Sequence, residues 1–424
     1  MTRLHPVDAR TLWAVPAARS DQFLLFAFDD TPASAAAVAA EVLAAALTIE
    51  RLNLVVREVP AHLDYPRWVS SAATAGQVRG HRLVDTSWPA MLTGLVALMG
   101  DQVDPGVHPW RVHLFGPVDD PSGGGARLRV AVLQISHALT DGRGASETAR
   151  ALFGGQRAGP PSAGFAEPSI PPMAQAAGGV LRLPGQVCGL IGGGLNSYRL
   201  SRAPRAVGPP PVAAAKINRR PGPRRALRTL TVAKDDIDGR ITPAVIAAIG
   251  DTMAAAWVDG DPVVELTLAR APRPGRANNF QMAGIASRTD LVGVRRTTAI
   301  TAAIDAARAR DRERARVVAR AAEAATPAAL MHWATTAFEP GGPDSDPPGA
   351  VTGHTVVSSV NRGGDDLFLA GGRVRFTAGF PALSAVHCLT HGIHGIGRSV
   401  TISVVADPDV IDIDNYAAEL RERL

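Results

Sequence analysis

The first third of the chain alternates between short apolar runs and longer stretches with helical character. The apolar runs predict strands at 21–28, 52–59, 110–115 and 127–136. An Ala-rich segment at 33–50, introduced by Thr31-Pro32, and a second segment at 145–154 predict helices. Strands and helices that interleave in this way predict an α/β layer architecture.

The last two hundred residues repeat the alternation. Their apolar runs predict strands at 225–232, 262–270, 354–360, 388–395 and 399–407. Helices are predicted at 242–258, at 296–324 and at the C-terminus. Thr242 is the expected N-cap of the first of these, with Pro243 in its first turn. The mixed charges of 296–324 indicate a solvated helix face.

A segment rich in Pro, Gly and Arg separates the two halves. It runs from about Gly154 to Arg225 and is too long for an ordinary loop, yet too apolar in places to be wholly disordered. We therefore expect an N-terminal domain at 1–154, a linker with short helices at 155–224, and a C-terminal domain at 225–424.

The basic charge of the chain does not predict a nucleic-acid partner. The net charge is +5 in 424 residues, and almost all of the basic residues are arginines in a composition dominated by Ala, Gly and Pro. Nine Lys and Arg residues fall between Arg199 and Arg228 with no Asp or Glu. Such a stretch is typical of a solvated basic linker, and the alternative is contact with an anionic ligand or a membrane surface.

Other features favour a cytoplasmic protein. The most apolar stretch, 178–196, contains Arg182 and Pro184, so a membrane span is not expected. The first residues lack the apolar core of a signal peptide. Two cysteines give no disulfide framework.

The most informative stretch is "RVAVLQISHALTDGRGAS" at 129–146, where a strand ends on a histidine. A neutral imidazole at the end of a strand can take a proton from an alcohol or an amine. Asp141, four residues beyond His137, is expected to hold the loop through an arginine or backbone amides. Gly142 and Gly144 permit positive φ and a close approach of substrate. A core histidine beside an Asp-Gly turn is the alternative.

No competing chemistry is predicted. The chain has no G-x-S-x-G, Walker or H-E-x-x-H motif. The run "HCLTHGIHG" at 387–395 collects three histidines and a cysteine. Its glycines oppose a helix, and a strand would place His391 and His394 on opposite faces, so no metal site is expected.

"HALTDG" resembles the H-x-x-x-D-G motif of the chloramphenicol-acetyltransferase-like superfamily, which contains coenzyme A-dependent acyltransferases and the condensation domains of peptide synthetases. Within that superfamily the chain most resembles the bacterial wax ester synthase/diacylglycerol acyltransferase family. Further stretches similar to that family follow in its order: "HPVDARTLWAV", "DPGVHPWRVHLF", "RALRTLTVAKDDI", "ELTLAR…ANNF", "VVSSV" and "SVTISVVADPDVID".

The resemblance implies two chloramphenicol-acetyltransferase-like α/β domains with a substrate tunnel at their interface. It implies that His137 is the general base for direct attack on a thioester, with no metal or cofactor beyond acyl-CoA or an acyl-carrier thioester as co-substrate. It further implies that Asp141 is structural and paired with Arg270, and that Asn278 lies near the active site, where both Arg270 and Asn278 would border the substrate.

The chain departs from the family at several positions. Ser136 stands where the family has a first histidine, and Ser136 and Gly142 are candidates for contact with substrate. Pro243-Ala244 replaces an Asn-Asp pair, and Ser359 replaces an asparagine. These departures indicate a divergent member with a specialised acceptor, or one that has lost activity.

The resulting hypothesis is an O-acyltransferase that uses acyl-CoA or a carrier-bound thioester and an alcohol. An amide-forming condensation-type enzyme and a non-catalytic acyl-binding protein are the alternatives. The basic stretch would steer the phosphates of coenzyme A or of an acyl carrier protein. Peripheral membrane contact stays open, and no nucleic acid is expected.

Overall fold

Two α/β lobes, each built on a six-stranded mixed sheet, form the protein. The computed structural model describes residues 2–14, 20–155, 171–202, 209–337 and 348–424. The predicted α/β class is confirmed. Parts of the predicted linker, 156–170 and 203–208, lie outside the described residues.

The helices and strands have the following bounds. The strands are β1 (Thr2–Arg3), β2 (Gln22–Asp29), β3 (Leu54–Arg57), β4 (Arg67–Ser70), β5 (Val78–His81), β6 (Trp110–Asp119), β7 (Arg127–Ile135), β8 (Val212–Ala213), β9 (Ala226–Ala233), β10 (Val263–Ala269), β11 (Phe280–Ala286), β12 (Ala350–Val351), β13 (Thr355–Asn361), β14 (Phe368–Leu369), β15 (Gly372–Gly379), β16 (Leu389–Ile396) and β17 (Ser399–Ala406). The helices are α1 (Pro6–Ala14), α2 (Ala35–Thr48), α3 (Trp88–Leu98), α4 (Gly142–Phe153), α5 (Pro172–Ser201), α6 (Ile241–Ala256), α7 (Gly293–Asp311), α8 (Arg314–Ala324), α9 (Ala328–Ala337) and α10 (Ile413–Glu422).

The N-terminal lobe has the strand order β14-β15-β2-β7-β6-β5. Its strands pair antiparallel, except β5 with β6. β2 and β7 are central and buried on both faces, because α2 and α4 cover one side of the sheet and α3 covers the other. This burial explains why the sequence of each strand reads as a continuous apolar run rather than an alternating one.

The C-terminal half of the chain completes the N-terminal sheet. β15 pairs with β2, where Thr377 lies opposite Phe26, and β14 pairs with β15. The segment predicted as one domain at 225–424 therefore contributes strands to both sheets. β15 was not predicted, although Val374, Phe376 and Ala378 are buried and alternate with arginines at 373 and 375.

The C-terminal lobe has the strand order β11-β10-β13-β16-β17-β9. β10, β13 and β16 run parallel and the outer strands pair antiparallel. Helices α6, α7 and α10 contribute apolar side chains to its core. The loop between β10 and β11 reaches the N-terminal lobe, and it carries part of the candidate site.

Three helix predictions need correction. In place of the short helices expected in the linker, its described part contains one helix of 30 residues, α5. The expected helix at 296–324 is two helices, and the side chain of Arg320 binds the carbonyl oxygen of Asp311 at the break. Thr242 is not an N-cap, since α6 begins at Ile241 after Arg240. Instead, the Thr242 hydroxyl lies 2.7 Å from the hydroxyl of Ser359 on β13.

Asp21 is a buried carboxyl group at the start of β2. Its Oδ2 accepts hydrogen bonds from the backbone of Val103 and from Gln134, both at 2.7 Å, and its Oδ1 has no partner. Burial raises the pKa of Asp21 from 3.8 to about 6. Because the folded state holds this proton more tightly, Asp21 stabilises the fold fully below pH 3.8, and that stability is lost as the pH rises through about 6.

Asp21→Asn is expected to raise the free energy of unfolding by up to about 3 kcal/mol near pH 8, with the gain shrinking towards pH 4. The amide oxygen keeps both hydrogen bonds and the amide nitrogen takes the place of the unpartnered Oδ1. Urea unfolding at both pH values measures the effect, with exposed Asp259→Asn as the control. A gain that is equal at the two pH values would contradict this account of Asp21.

Candidate active site

The H-x-x-x-D-G stretch forms a tight loop between β7 and α4. The residue just before it, Ser136, donates its backbone N–H to the carbonyl of Pro109 at 2.9 Å, which fixes the loop to the start of neighbouring strand β6. The Ser136 hydroxyl accepts the N–H of Ala138 at 3.2 Å, and Ser136 is only 1% exposed. Ser136 therefore shapes the loop from the interior, while His137 is partly exposed.

Asn278 fixes the orientation of the His137 ring. The Asn278 amide nitrogen donates to the backbone oxygen of His137 at 2.6 Å and to Asp8 at 2.9 Å. Its Oδ1 is consequently an acceptor, and it lies 3.3 Å from His137 Nδ1. His137 Nδ1 therefore carries the proton, which leaves the lone pair on Nε2.

Asp8 holds Asn278 in place from a third part of the chain. It lies on α1, is 2% exposed, and accepts the backbone N–H groups of Ala277 at 2.8 Å and Asn278 at 2.9 Å as well as the Asn278 amide. Burial raises the pKa of Asp8, and these hydrogen bonds oppose that shift. Asp8, Asn278 and His137 thus form one hydrogen-bonded chain.

The His137 ring is suited to accept a proton. Burial lowers the pKa of His137 below 6.5, against the opposing effects of the Asn278 hydrogen bond and the charge of Asp141. The ring is therefore neutral near pH 7, with Nε2 as its basic nitrogen. A neutral imidazole of defined tautomer is what general-base catalysis requires.

Asp141 binds backbone amides of both lobes. It is the N-cap of α4, where its Oδ1 accepts the N–H of Gly144 at 3.0 Å. Its Oδ2 accepts the N–H of Asn279 at 2.8 Å. Of the two kinds of partner expected for this carboxylate, an arginine or backbone amides, the structure shows backbone amides, and Asp141 joins the motif loop to the residue that follows Asn278.

The expected pairing of Asp141 with Arg270 is wrong. The Arg270 guanidinium makes two hydrogen bonds to Asp311, at 2.8 and 2.7 Å, and one to the backbone of Phe280. Asp311, at the end of α7, also binds Arg320. Arg270 thus anchors the β10–β11 loop to the end of α7, and it does not contact His137.

The two glycines of the motif do not use the positive φ that they would permit. Both lie in the first turn of α4. Gly144 is required for packing, because a Cβ there would lie 1.9 Å from the Thr140 hydroxyl. Gly142 lies where the lobes meet, since a Cβ there would be 3.7 Å from the Gln22 side chain of its own lobe and 3.8 Å from Val360 on β13.

Comparison with solved structures shows the architecture. The wax ester synthase/diacylglycerol acyltransferase from Marinobacter aquaeolei VT8 is 16% identical, with a TM-score of 0.63 over 100% of this chain and 98% of that chain. The chain has the chloramphenicol-acetyltransferase-like fold. No protein-family model and no curated protein matches the chain.

Other structures with this fold cover the chain equally well. A mutant of the starter condensation domain of rhizomide synthetase, in complex with C8-CoA and Leu-SNAC, is 12% identical, with a TM-score of 0.56 over 100% of this chain and 92% of that chain. The trichothecene 15-O-acetyltransferase from Fusarium sporotrichioides is 12% identical, with a TM-score of 0.57 over 99% and 94%. The predicted resemblance is thus confirmed at the level of the fold.

Arg362 is a buried residue beside the motif helix that the sequence did not single out. Its guanidinium donates to the Ser146 hydroxyl on α4 at 3.3 Å and to His394 Nδ1 at 3.1 Å. It also lies 5.2 Å from the centre of the Phe26 ring. Burial lowers the pKa of Arg362 to about 9. Arg362 therefore links α4 to strands of both sheets.

The histidines of "HCLTHGIHG" are buried and form hydrogen bonds inside the protein. His387 Nε2 binds the Gly353 carbonyl at 2.8 Å, and His391 Nε2 lies 2.8 Å from the Tyr416 hydroxyl on α10. His394, on the same strand, binds Arg362 instead. Within the described residues no group of three or more His, Cys, Asp or Glu is placed to hold a metal ion.

A cavity of about 500 Å³ lies between the lobes, away from His137. It is lined by Asp21 and the end of α3 from one lobe, and by residues 223–226 and Val405 from the other. Part of the basic stretch lies nearby, but Arg224 and Arg228 pair with Asp409 and Asp414. These two arginines are therefore not free to bind an anion.

The sequence missed Asp8 as part of the site. The stretch "HPVD" was noted, but no pattern within it indicates that α1 packs against a loop 269 residues away. Asn278 is where the resemblance implied, and the structure shows that it contacts His137. Ser136 and Gly142 border the same loop, and their contact with substrate stays a prediction.

Proposed function

We propose that this protein is an acyltransferase that moves an acyl group from a thioester to an alcohol, with His137 as the general base. The observation that carries the proposal is the His137 ring, held with Nδ1 towards Asn278 and a free lone pair on Nε2. The fold is shared with two acyltransferases and a condensation domain, which supports the reaction class.

The reaction follows from the state of this ring. Nε2 takes the proton of the acceptor hydroxyl as the oxygen attacks the thioester carbonyl. The tetrahedral intermediate then collapses, the C–S bond breaks, and the thiolate receives the proton from the imidazolium. The acceptor O–H is replaced by an ester, the donor leaves as free thiol, and no covalent enzyme intermediate is needed.

The chain from Asp8 through Asn278 prepares the ring for this step. An imidazole held by one acceptor on Nδ1 keeps its tautomer, so no reorganisation precedes proton transfer. The imidazolium that forms is stabilised by the charge of Asp141, which raises the pKa of His137. General-base catalysis of this kind contributes typically about 10²- to 10⁴-fold.

An alcohol is favoured over an amine as the acceptor because two of the similar proteins are named as enzymes that form esters. Two of them are O-acyl-transferring enzymes, the wax ester synthase/diacylglycerol acyltransferase and the trichothecene 15-O-acetyltransferase. Condensation domains have the same fold, so amide formation is the alternative outcome of the same experiment. The donor is acyl-CoA or a carrier-bound thioester.

The test is thiol release from acyl-CoAs of short to long chain, in the presence of a pooled alcohol and amine library. We expect release that depends on the acceptor, with a product whose mass is that of an ester. If the product is an amide, the acceptor is an amine and not the alcohol proposed here. Bound acyl-CoA with no release from coenzyme A or carrier donors would overturn the proposal in favour of a binding protein.

A further inference from the structure

Helix α5 presents a continuous apolar stripe to solvent. Large side chains recur along it at spacings of seven, seven, four, four and three residues, at Met173, Val180, Val187, Ile191, Leu195 and Tyr198. At 100° per residue these positions fall within an arc of about 80°. Their exposed fractions run from 39% at Val187 to 73% at Met173.

The opposite face of α5 is the one that packs on the protein. Small residues line it, and a Cβ at Gly179 would lie 2.1 Å from the Leu63 carbonyl. A Cβ at Gly193 would lie 2.8 Å from Ala322 on α8. The helix is therefore docked through its glycines and turns its large apolar side chains outwards, which is the reverse of an ordinary surface helix.

The charge around the stripe has one sign. No Asp or Glu occurs between Glu167 and Asp235, and exposed Arg199 and Arg202 lie in the last turn and at the C-cap of α5. The other arginine of the helix, Arg182, is engaged with buried Asp64 at 3.2 Å. An apolar face with arginines at one end and no acidic residue suits the headgroup region of an anionic membrane.

α5 is not expected to contact lipid by crossing a bilayer. Within the part of the chain described here, no helix is both long and apolar enough to span a membrane. The thirty residues of α5 extend about 45 Å, and the buried glycine face keeps the helix parallel to the protein surface.

We propose that α5 is an interfacial membrane-binding helix, whose apolar stripe inserts at the surface of a bilayer containing anionic lipid. A symmetric contact between the α5 helices of two copies fits the stripe less well, because α5 carries no carboxylate to meet the arginines. Tyr198 supports the lipid interface, since amphipathic rings favour the boundary between headgroups and acyl chains. The inference does not rest on the proposed acyl transfer.

The test is flotation of the full chain with vesicles of phosphatidylcholine and phosphatidylglycerol in equal amounts. Ile191→Glu lies on the stripe, whereas Asn196→Glu changes the charge equally at an exposed position off the stripe. We expect the wild type and Asn196→Glu to bind, and Ile191→Glu to bind at least about tenfold more weakly, because it loses apolar insertion.

Three results would overturn the proposal. The first is that the wild type does not float with the vesicles. The second is that vesicle binding is weakened equally in the two variants, which would leave only a charge effect. The third is a wild-type dimer that Ile191→Glu converts to a monomer with no vesicle binding, which would assign the stripe to a second copy. Thiol release from short acyl-CoAs in vesicle-free buffer, expected to be equal in all three proteins, keeps this test separate from the proposed activity.

Discussion

His137→Ala is expected to slow acceptor-dependent thiol release about 10²- to 10⁴-fold. The ring supplies the only free imidazole lone pair in the motif loop, since Nδ1 is committed to Asn278. The ring makes one side-chain hydrogen bond, so its loss leaves Asp141 and the loop backbone in place. Far-UV circular dichroism and urea unfolding check that the variant keeps its fold.

His81→Ala is the matched control for this variant. His81 lies on edge strand β5 opposite Phe115. His137 follows the end of β7, at the opposite end of the strands of the same sheet. We expect His81→Ala to retain thiol release within a few-fold of the wild type. Equal rates in His137→Ala and the wild type would remove His137 from the mechanism.

Asp141→Ala is expected to lower the free energy of unfolding by about 2–4 kcal/mol. Loss of an N-cap costs about 0.5–2 kcal/mol. A buried amide without an acceptor, here the N–H of Asn279, costs about 1–3 kcal/mol. Thiol release is expected to fall as well, because Asn279 anchors the loop in which Asn278 orients His137.

Asp412→Ala separates the two contributions to the Asp141 effect. Asp412 is an exposed N-cap of α10 that binds only the first amides of its own helix. Urea unfolding should therefore give a smaller loss for Asp412→Ala, of about 1 kcal/mol. Identical losses in the two variants would show that the bond to Asn279 contributes nothing.

Much of the element order could be predicted from the sequence because it is encoded locally. β2 and β7 are apolar runs of strand length, and α4 follows directly from a loop that ends on an N-capping aspartate. The motif loop carries its own geometry, which is why His137 and Asp141 were identified before the structure. These features depend on neighbouring residues only.

The missed features depend on partners distant in the sequence. Arg270 was assigned to Asp141, but Asp311 offers it both carboxylate oxygens, 41 residues further along the chain. Thr242 is of a residue type that favours the N-cap, yet its hydroxyl forms a hydrogen bond with the hydroxyl of Ser359 on β13. The pairing of β15 with β2 joins Thr377 to Phe26. No local pattern specifies which distant residue comes into contact.

The pH dependence of kcat/KM for acceptor-dependent thiol release tests the central claim most directly. His137 must be neutral to accept a proton, and burial lowers its pKa below 6.5. The account predicts full activity near pH 7 and a single acidic limb whose midpoint lies below pH 6.5. A midpoint above 6.5, or an acidic limb that persists in His137→Ala, would contradict a neutral His137 of lowered pKa as the base.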